Sequence, residues 1–377
     1  MHAQTHPISI QDSSAYFRLT SFHFGTPGHG KKVYIQAGLH ADEVPGMLVS
    51  QFLRKELAEL EQAGKLKGEV ILVPAANPVG LSQAIHGAPF GRFDLHTGTN
   101  FNRAYKHVAD DLKVSLGGLL GSDAGANVAL VREHARQSVA QWKPATDTEA
   151  LKKVLLSMAI DADIVLDLHC DTESVVHIYT GTPLADAVRP LAAIMGAHAV
   201  LLALQAGGEP FDEACSRLWW DLAAHFGPAF PLPPACVATT VELRGEADVS
   251  YALAEQDARG LLRYLAHEGV IDQDAGQLPQ PLCEPTPLEG VEPIDAPHAG
   301  VVVFLKSPGD KVDAGDAVAD LVDAVSGEAT TLRCTVKGVL FARSVHRHVL
   351  RGMTVGKVAG PVAFRTCSLL SQSAPDA

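Results

Sequence analysis

The chain has 377 residues and a formal net charge of −13, with 43 acidic and 30 basic side chains. This charge argues against nucleic acid and anionic membranes as partners, so an anionic ligand would have to be bound by local cations. Because 47% of the residues are hydrophobic and 19% are charged, disorder is not expected. The length leaves room for one large α/β domain and one small domain.

Sorting signals and cysteine pairs are not evident in the sequence. No run approaches the roughly 18 apolar residues of a membrane span, and residues 1–20 lack a basic stretch followed by an apolar one. The cysteines show no Cys-x-x-Cys spacing, which argues against a disulfide framework or a structural zinc site. We therefore expect a cytoplasmic protein without a membrane partner, and homo-oligomer formation stays open.

Predicted strands and helices alternate along the first three quarters of the chain. The predicted strands cover residues 33–39, 69–74, 163–169, 175–180, 198–204 and 236–243. The predicted helices cover residues 47–60, 124–142, 148–159, 211–226 and 250–267. This order predicts an α/β fold with a mostly parallel or mixed sheet that is flanked by helices.

Two of the predicted strands end in a histidine. His40 follows the first strand, with Glu43 three residues later, and His169 ends the strand over 163–169. The carboxyl ends of parallel strands meet at one edge of a sheet, so these side chains can converge there. Zinc binds imidazole and carboxylate groups, and three protein ligands leave a fourth position for water. The pattern predicts one catalytic Zn²⁺ per subunit, held by His40, Glu43 and His169.

A single acid, Glu242, interrupts the β-branched and apolar strand over 236–243. A lone carboxylate in such a strand is costly unless it has a partner or a function. One interpretation makes Glu242 the end of an edge strand, paired with Arg244. Beside a metal site we favour the other interpretation, in which Glu242 is the general base for an attacking water.

Taken together, these segments resemble the succinylglutamate desuccinylase and aspartoacylase family, which has the fold of M14-type zinc carboxypeptidases. The resemblance covers about residues 30–270. It is carried by GLHADE at 38–43, PAANP at 74–78, NR at 102–103, DLH at 167–169 and TVEL at 240–243.

The resemblance implies roles for individual residues. His40, Glu43 and His169 would hold the zinc, and Glu242 would be the base and proton shuttle. Asn102 and Arg103 match the pair that binds the substrate carboxylate in this family. Arg92 is the candidate for the arginine that polarises the scissile carbonyl; its alternative role is that of a surface cation. Chemically, an arginine presents a planar fork that suits a carboxylate and stays charged at any relevant pH.

Two acids flank His169 in the sequence. Alternation along the strand puts Asp167 on the same side as His169, so Asp167 could orient the imidazole. Asp171 could do the same from the turn that follows, and the sequence does not choose between them.

A different pattern begins near residue 279. Six prolines within residues 279–297 predict an extended linker that separates a catalytic domain over 1–278 from a β domain over 298–377. The segment 300–304 is echoed by 338–342, which predicts a small β sandwich or half-barrel. This domain resembles biotinyl and lipoyl carriers, but the hairpin tip over 323–328 lacks their modified lysine. We expect it to restrict access to the catalytic pocket and to supply no metal ligand.

The sequence thus predicts a zinc-dependent amide hydrolase that deacylates an N-acyl amino acid or a similar small carboxylated amide. The C–N bond that it cleaves would not be a peptide bond. Two alternatives stay open: a metallocarboxypeptidase that acts on peptide C-termini, and a non-catalytic metal-binding or ligand-binding module. An intact Glu242 argues against the module. The resemblance and the added β domain favour deacylation, while the acyl group and the amine are left open.

Overall fold

The computed structural model describes residues 1–9 and 14–364. The described strands are β1 His2–Pro7, β2 Arg18–Phe24, β3 Lys32–Ala37, β4 Glu69–Val73, β5 Ala84–Ile85, β6 Ala88–Pro89, β7 Ile164–Asp171, β8 Glu173–Ser174, β9 His177–Gly181, β10 Ala199–Ala203, β11 Val237–Gly245, β12 Thr286–Pro287, β13 Val291–Asp295, β14 Gly300–Phe304, β15 Lys311–Val312, β16 Ala317–Val322, β17 Ala329–Arg333, β18 Gly338–Arg343, β19 His348–Val349 and β20 Thr354–Ala359. The described helices are α1 Pro45–Gln62, α2 Pro78–Leu81, α3 Ala109–Ser115, α4 Ala124–Gln141, α5 Asp147–Ala159, α6 Arg189–Met195, α7 Phe211–Phe226 and α8 Tyr251–His267.

The largest sheet of the described part has nine strands in the order β1-β2-β4-β3-β7-β11-β9-β10-β12. Its central strands β4, β3, β7 and β11 are parallel, whereas β1, β2 and β9 run antiparallel to neighbours. The predicted α/β fold with a mostly parallel or mixed sheet and flanking helices is therefore confirmed. The strand predicted over 175–180 corresponds to β9, and its direction is set by pairing with β11 rather than by its own sequence.

Helices cover both faces of this sheet because its central strands are apolar on both sides. Val33 and Ile35 of β3 belong to one core cluster, together with Leu53 of α1. Tyr34 points to the opposite face, where it contacts Phe211 of α7 with ring centroids 5.7 Å apart. Alternating side chains on one strand thus reach two separate cores, as the geometry of a strand requires.

The strands from β13 onwards form two smaller antiparallel sheets. One sheet has the order β13-β20-β18-β15, and the other has the order β17-β16-β14-β19. The segments of the predicted repeat are β14 and β18, which lie in different sheets, with a shared core that includes Val302, Leu321 and Leu340. The all-β character of the C-terminal part is confirmed. The domain boundaries stay predictions, and residues 365–377 of the predicted β domain lie outside the described residues.

The C-terminal sheet is continuous with the segment that follows β7. The short strand β8 pairs with β18, with Ser174 opposite Ala342 and Glu173 opposite Arg343. Phe341 packs in a core cluster with Leu201 of β10, which joins the two parts by apolar contact as well. Because β8 begins two residues after β7 ends, the C-terminal strands are held beside the edge of the large sheet where His169 lies.

Two further observations concern the described residues only. None of their helices is both long and apolar enough to cross a membrane. Their five cysteines are free thiols, and Cys367 lies outside the described part.

Candidate active site

His40, Glu43 and His169 come together as a buried cluster. One potential ligand atom from each lies within 4.8 Å of the others. His40 and Glu43 occupy the turn between β3 and α1, which the backbone can make because Gly38 has a φ of 70°. His169 lies on β7, whose Leu168 is paired with Ala37 at the end of β3. Adjacent parallel strands therefore bring the three side chains to one edge of the sheet.

The Glu43 carboxylate bridges the two imidazoles through their Nδ1 atoms. Glu43 Oε1 is 2.9 Å from His40 Nδ1, and Glu43 Oε2 is 2.8 Å from His169 Nδ1. Burial would raise the pKa of Glu43, but the charges of His40, His169 and Arg92 hold it well below its usual range. The carboxylate is thus kept ionised, which is the form that binds a cation.

The outer nitrogens of both imidazoles face polar oxygens. His40 Nε2 is 2.8 Å from Asn100 Oδ1. His169 Nε2 is 2.9 Å from Asp167 Oδ2, which is an ion-pair distance, but the two groups are not aligned for a hydrogen bond. Metal-binding histidines are commonly oriented through their second nitrogen in this way. Two imidazole nitrogens and a carboxylate, with this support, fit a zinc ion.

The two histidines have opposite pKa shifts. Burial, followed by the charge of Arg92, lowers the pKa of His40. Burial acts in the same direction on His169, but the charges of Asp167 and Glu43 outweigh it and raise the pKa of His169 well above its usual range. A cation bound between Glu43 and the imidazoles would replace that proton, because metal binding requires neutral histidine.

Glu242 lies directly across from the cluster. It is on β11, where it pairs in register with His169 of β7. Burial, followed by the charge of Glu43, raises the pKa of Glu242 to about 8. Its Oε2 atom is buried and has no hydrogen-bond partner among the described residues. The alternative in which Glu242 ends an edge strand and pairs with Arg244 is wrong, because β11 is an internal strand and Arg244 forms its ion pair with Asp257.

The loop between α2 and α3 brings Arg92, Asn102 and Arg103 to the same place. Arg92 Nη2 donates a 2.7 Å hydrogen bond to Glu43 Oε1. Asn102 Oδ1 accepts a 2.9 Å hydrogen bond from the backbone nitrogen of Phe211, which leaves Nδ2 as the donor of that side chain. Arg103 Nη1 donates to Asn102 O at 2.6 Å. The loop is thus tied both to the metal cluster and to the start of α7.

All seven predicted site residues line one cavity of about 560 Å³. The large-sheet part of the wall also includes Cys170, Asp171, Thr172, Tyr179, Ala206, Pro210, Asp212 and Thr240. The C-terminal strands contribute Ala342, Arg343, Ser344, His346, Gly352, Met353, Thr354, Val355, Gly356 and Lys357. The cavity therefore lies between the edge of the large sheet and the C-terminal sheets.

Comparisons with known proteins agree with the candidate active site that this geometry describes. Residues 29–119 match the catalytic-domain model described as succinylglutamate desuccinylase/aspartoacylase. A solved structure of this family from Shewanella amazonensis SB2B is 30% identical, covers 95% of this chain and 98% of its own, and superposes with a TM-score of 0.81. The chain belongs to the succinylglutamate desuccinylase/aspartoacylase family. Members of this family are hydrolytic deacylases of small acyl amino acids, which supports an enzymatic function for this chain.

Two further solved structures extend the comparison to more distant relatives. A family protein from Shewanella frigidimarina is 26% identical over 95% of this chain and 97% of its own, with a TM-score of 0.79. The product-bound ectoine utilization protein EutE from Ruegeria pomeroyi is 18% identical over 94% and 93%, with a TM-score of 0.63, and shows the shared fold alone. A search of curated proteins gave no match.

In this member of the family, ion pairs hold the C-terminal wall against the metal-binding edge. Lys357 Nζ is 2.5 Å from Asp171 Oδ2. Glu173 is held by Arg343 at 2.6 Å and by Arg347 at 2.5 Å. Asp171 therefore pairs with Lys357 rather than with His169, and of the two acids that flank His169 it is Asp167 that faces the imidazole.

Sequence reasoning did not select several residues that line this cavity or contact its metal cluster. Asn100 stands two positions before Asn102, so a search of the arginine segment for amide side chains could have found it. Tyr179 and Asp212 carry no such signal, because each lies in an otherwise ordinary strand or helix. Lys357 is more than 180 residues from Asp171 in the chain, and their contact depends on how the C-terminal sheet is docked.

Proposed function

We propose that this chain is a zinc-dependent amide hydrolase that deacylates an N-acyl amino acid or a similar small carboxylated amide. The observation that carries the proposal is the His40, Glu43 and His169 cluster with Glu242 paired beside it and Arg92, Asn102 and Arg103 in the same cavity. Each group that amide hydrolysis requires has a candidate there.

The metal ligands in this proposal are His40, Glu43 and His169. A zinc ion bound there would supply Lewis acidity and would lower the pKa of water that it binds. Asn100 and Asp167 would keep the two imidazoles in the orientation that ligation needs. Arg92 would limit the negative charge on Glu43 through its hydrogen bond to Oε1.

Glu242 carries the proton transfers of the proposed reaction. Its carboxylate accepts a proton from the water that attacks the amide carbonyl. The protonated Glu242 then returns that proton to the leaving amine, which would otherwise depart as an unstable amide anion. The raised pKa of Glu242, caused by burial, makes it a stronger base toward the water proton. The leaving amine is a stronger base than a carboxylate, so it can take that proton back.

The two arginines have separate tasks in the proposed reaction. Arg103 and the Asn102 amide bind the carboxylate of the substrate, and the guanidinium fork fixes its orientation. Arg92 lies at the metal cluster and donates to the oxygen that becomes negative when the carbonyl is attacked. The substrate is thereby held at one end while its amide lies between Glu242 and Arg92.

A panel of substrates tests the proposal directly. The zinc-loaded protein is incubated with N-acetyl, N-succinyl and N-formyl amino acids and with short peptides, and released amine is measured. Hydrolysis of one or more N-acyl amino acids, with little turnover of peptides, is the expected result. Preferred cleavage of peptide C-termini would favour the metallocarboxypeptidase, and the absence of any turnover would favour a binding module.

Substitution of the two arginines should affect different kinetic constants. Arg103→Lys should raise KM for carboxylated substrates by roughly ten- to hundredfold, because a point charge replaces a two-pronged donor. Arg92→Ala should instead lower kcat by about 10²- to 10³-fold, since it removes a contact that strengthens as the oxyanion forms. Steady-state kinetics with zinc content measured in parallel would separate the two effects. An unchanged KM in Arg103→Lys would contradict the role given to Arg103.

The C-terminal wall should limit the size of the substrate. Met353 lines the cavity from this wall, so Met353→Ala should improve kcat/KM for larger acyl groups relative to small ones by about tenfold. Leu350→Ala is a matched control, because Leu350 lies in the same turn but is 59% exposed and outside the cavity. Identical substrate profiles for the wild type and Met353→Ala would contradict a gating role.

A further inference from the structure

Asp212 is a buried carboxylate in the cavity that the proposed reaction does not use. It lies in the first turn of α7, is 7% exposed, and lines the cavity. Within residues 1–9 and 14–364, no lysine, arginine or histidine nitrogen lies within 4.0 Å of its carboxylate.

The other acids that line this cavity have cationic partners or a proposed task. Glu43 is bound by Arg92, and Asp171 is bound by Lys357. Glu242 is the proposed base. Asp212 differs from these acids because burial without a partner is costly for a carboxylate.

The pKa of Asp212 also indicates that its carboxylate lacks a cationic partner. Burial, followed by the charge of Asp167, raises the pKa of Asp212 to about 6. Arg103 and His169 lower that pKa but do not offset the burial. Its position in the first turn of a helix is favourable for an acid, but the pKa stays raised, so this effect does not offset the burial. A cation brought by the ligand would therefore stabilise the ionised form.

We propose that Asp212 is a specificity-determining residue that binds a positively charged group on the amino-acid half of the substrate. This inference rests on the proposed function, because it concerns the same cavity. Asp212 is close enough to Arg103 to be affected by its charge. Arg103 binds the substrate carboxylate in the proposed function, so a cation at Asp212 belongs to the same half of the molecule. The substrates are N-acyl derivatives of amino acids with a side-chain ammonium group.

The physical basis is a charge-assisted hydrogen bond. An ammonium group donates to the Asp212 carboxylate and supplies the missing counter-charge, and bonds of this kind are stronger than neutral ones. A neutral side chain of the same length would leave the carboxylate buried and unpaired. The enzyme would then discriminate between the two substrates through a contact that only one of them makes.

A pair of substrates that differ only in this ammonium group tests the proposal. Nα-acyl-L-ornithine and Nα-acyl-L-norvaline have the same carbon skeleton, and the acyl group is the one that the substrate panel selects. We expect wild-type kcat/KM to favour the ornithine derivative by roughly ten- to hundredfold. Asp212→Asn should remove most of this preference and change kcat/KM for the norvaline derivative by less than about threefold.

Glu213→Gln is the matched control for charge. Glu213 lies next to Asp212 in the same helical turn and is also buried, but it does not line the cavity and its Oε1 accepts a hydrogen bond from the backbone of Ala206. This variant should keep the wild-type preference. If circular dichroism shows that Asp212→Asn does not fold, Asp212→Ser is tested instead.

Two results would overturn the inference while the proposed function stands. One is hydrolysis of N-acyl amino acids with no preference for the ammonium group. The other is an equal loss of kcat/KM for both substrates in Asp212→Asn, which would make Asp212 a counter-charge for Arg103. If the substrate panel gives no turnover at all, the proposed function fails, and calorimetry with free L-ornithine and L-norvaline decides about Asp212. Tighter ornithine binding that Asp212→Asn abolishes would support the site, and equal binding would overturn it.

Discussion

Glu242→Gln should lower turnover by about 10²- to 10⁴-fold and leave zinc content and fold unchanged, because it removes a general base but keeps the shape of the side chain. Glu242 lies opposite His169 on the neighbouring strand, and its Oε2 is buried without a hydrogen-bond partner in the described part of the chain. Kinetics with the best substrate of the panel, together with elemental analysis and circular dichroism, would measure all three quantities.

The control for this prediction is Glu246→Gln. Glu246 lies four residues further along the chain, and Glu246→Gln removes the same charge as Glu242→Gln. Glu246 is not part of the cavity wall. Its turnover should stay close to that of the wild type. A parallel fall of zinc content and rate in Glu242→Gln would instead identify Glu242 as a ligand or a structural residue.

His40→Ala and His169→Ala should each reduce bound zinc from one per subunit to a small fraction, and activity should fall with it. Each substitution removes one of three protein ligands, and a carboxylate with a single imidazole is a much weaker site for zinc. Elemental analysis of protein dialysed against metal-free buffer would give the stoichiometry. Circular dichroism would show whether the variants are folded.

His346→Ala provides a matched histidine control. His346 lines the same cavity but belongs to the C-terminal wall and lies outside the metal cluster. It should retain one zinc per subunit. Full stoichiometry in both His40→Ala and His169→Ala would exclude the proposed ligand set.

Much of the fold follows from local patterns in the sequence. The helices predicted over 47–60 and 250–267 correspond to α1 and α8, and the strand predicted over 236–243 corresponds to β11. These segments are long and have a clear apolar period, which is the strongest signal that a single sequence carries. The N-terminal strands β1 and β2 were not predicted, because β1 is polar and mostly exposed, and it is stabilised by its pairing with β2.

The candidate site also contains residues that the sequence predicted and residues that it did not. His40, Glu43 and His169 were predicted as a set because each stands at the end of an apolar strand, and the structure brings their ligand atoms within 4.8 Å. Asn100 could not be selected in this way, since its contact with His40 depends on the path of an irregular loop. The sequence of this loop has no periodic pattern from which its path could be predicted.

The sequence by itself therefore determined the α/β alternation, the residues at the strand ends and the family motifs, because all of these depend on neighbours within a few positions. Only the tertiary structure decided which of the two acids beside His169 faces it and that β8 joins the C-terminal sheet to the large one. It also decided that Asp212 and Lys357 line the cavity. These contacts connect residues far apart in the chain, and they form only when separate elements have packed together.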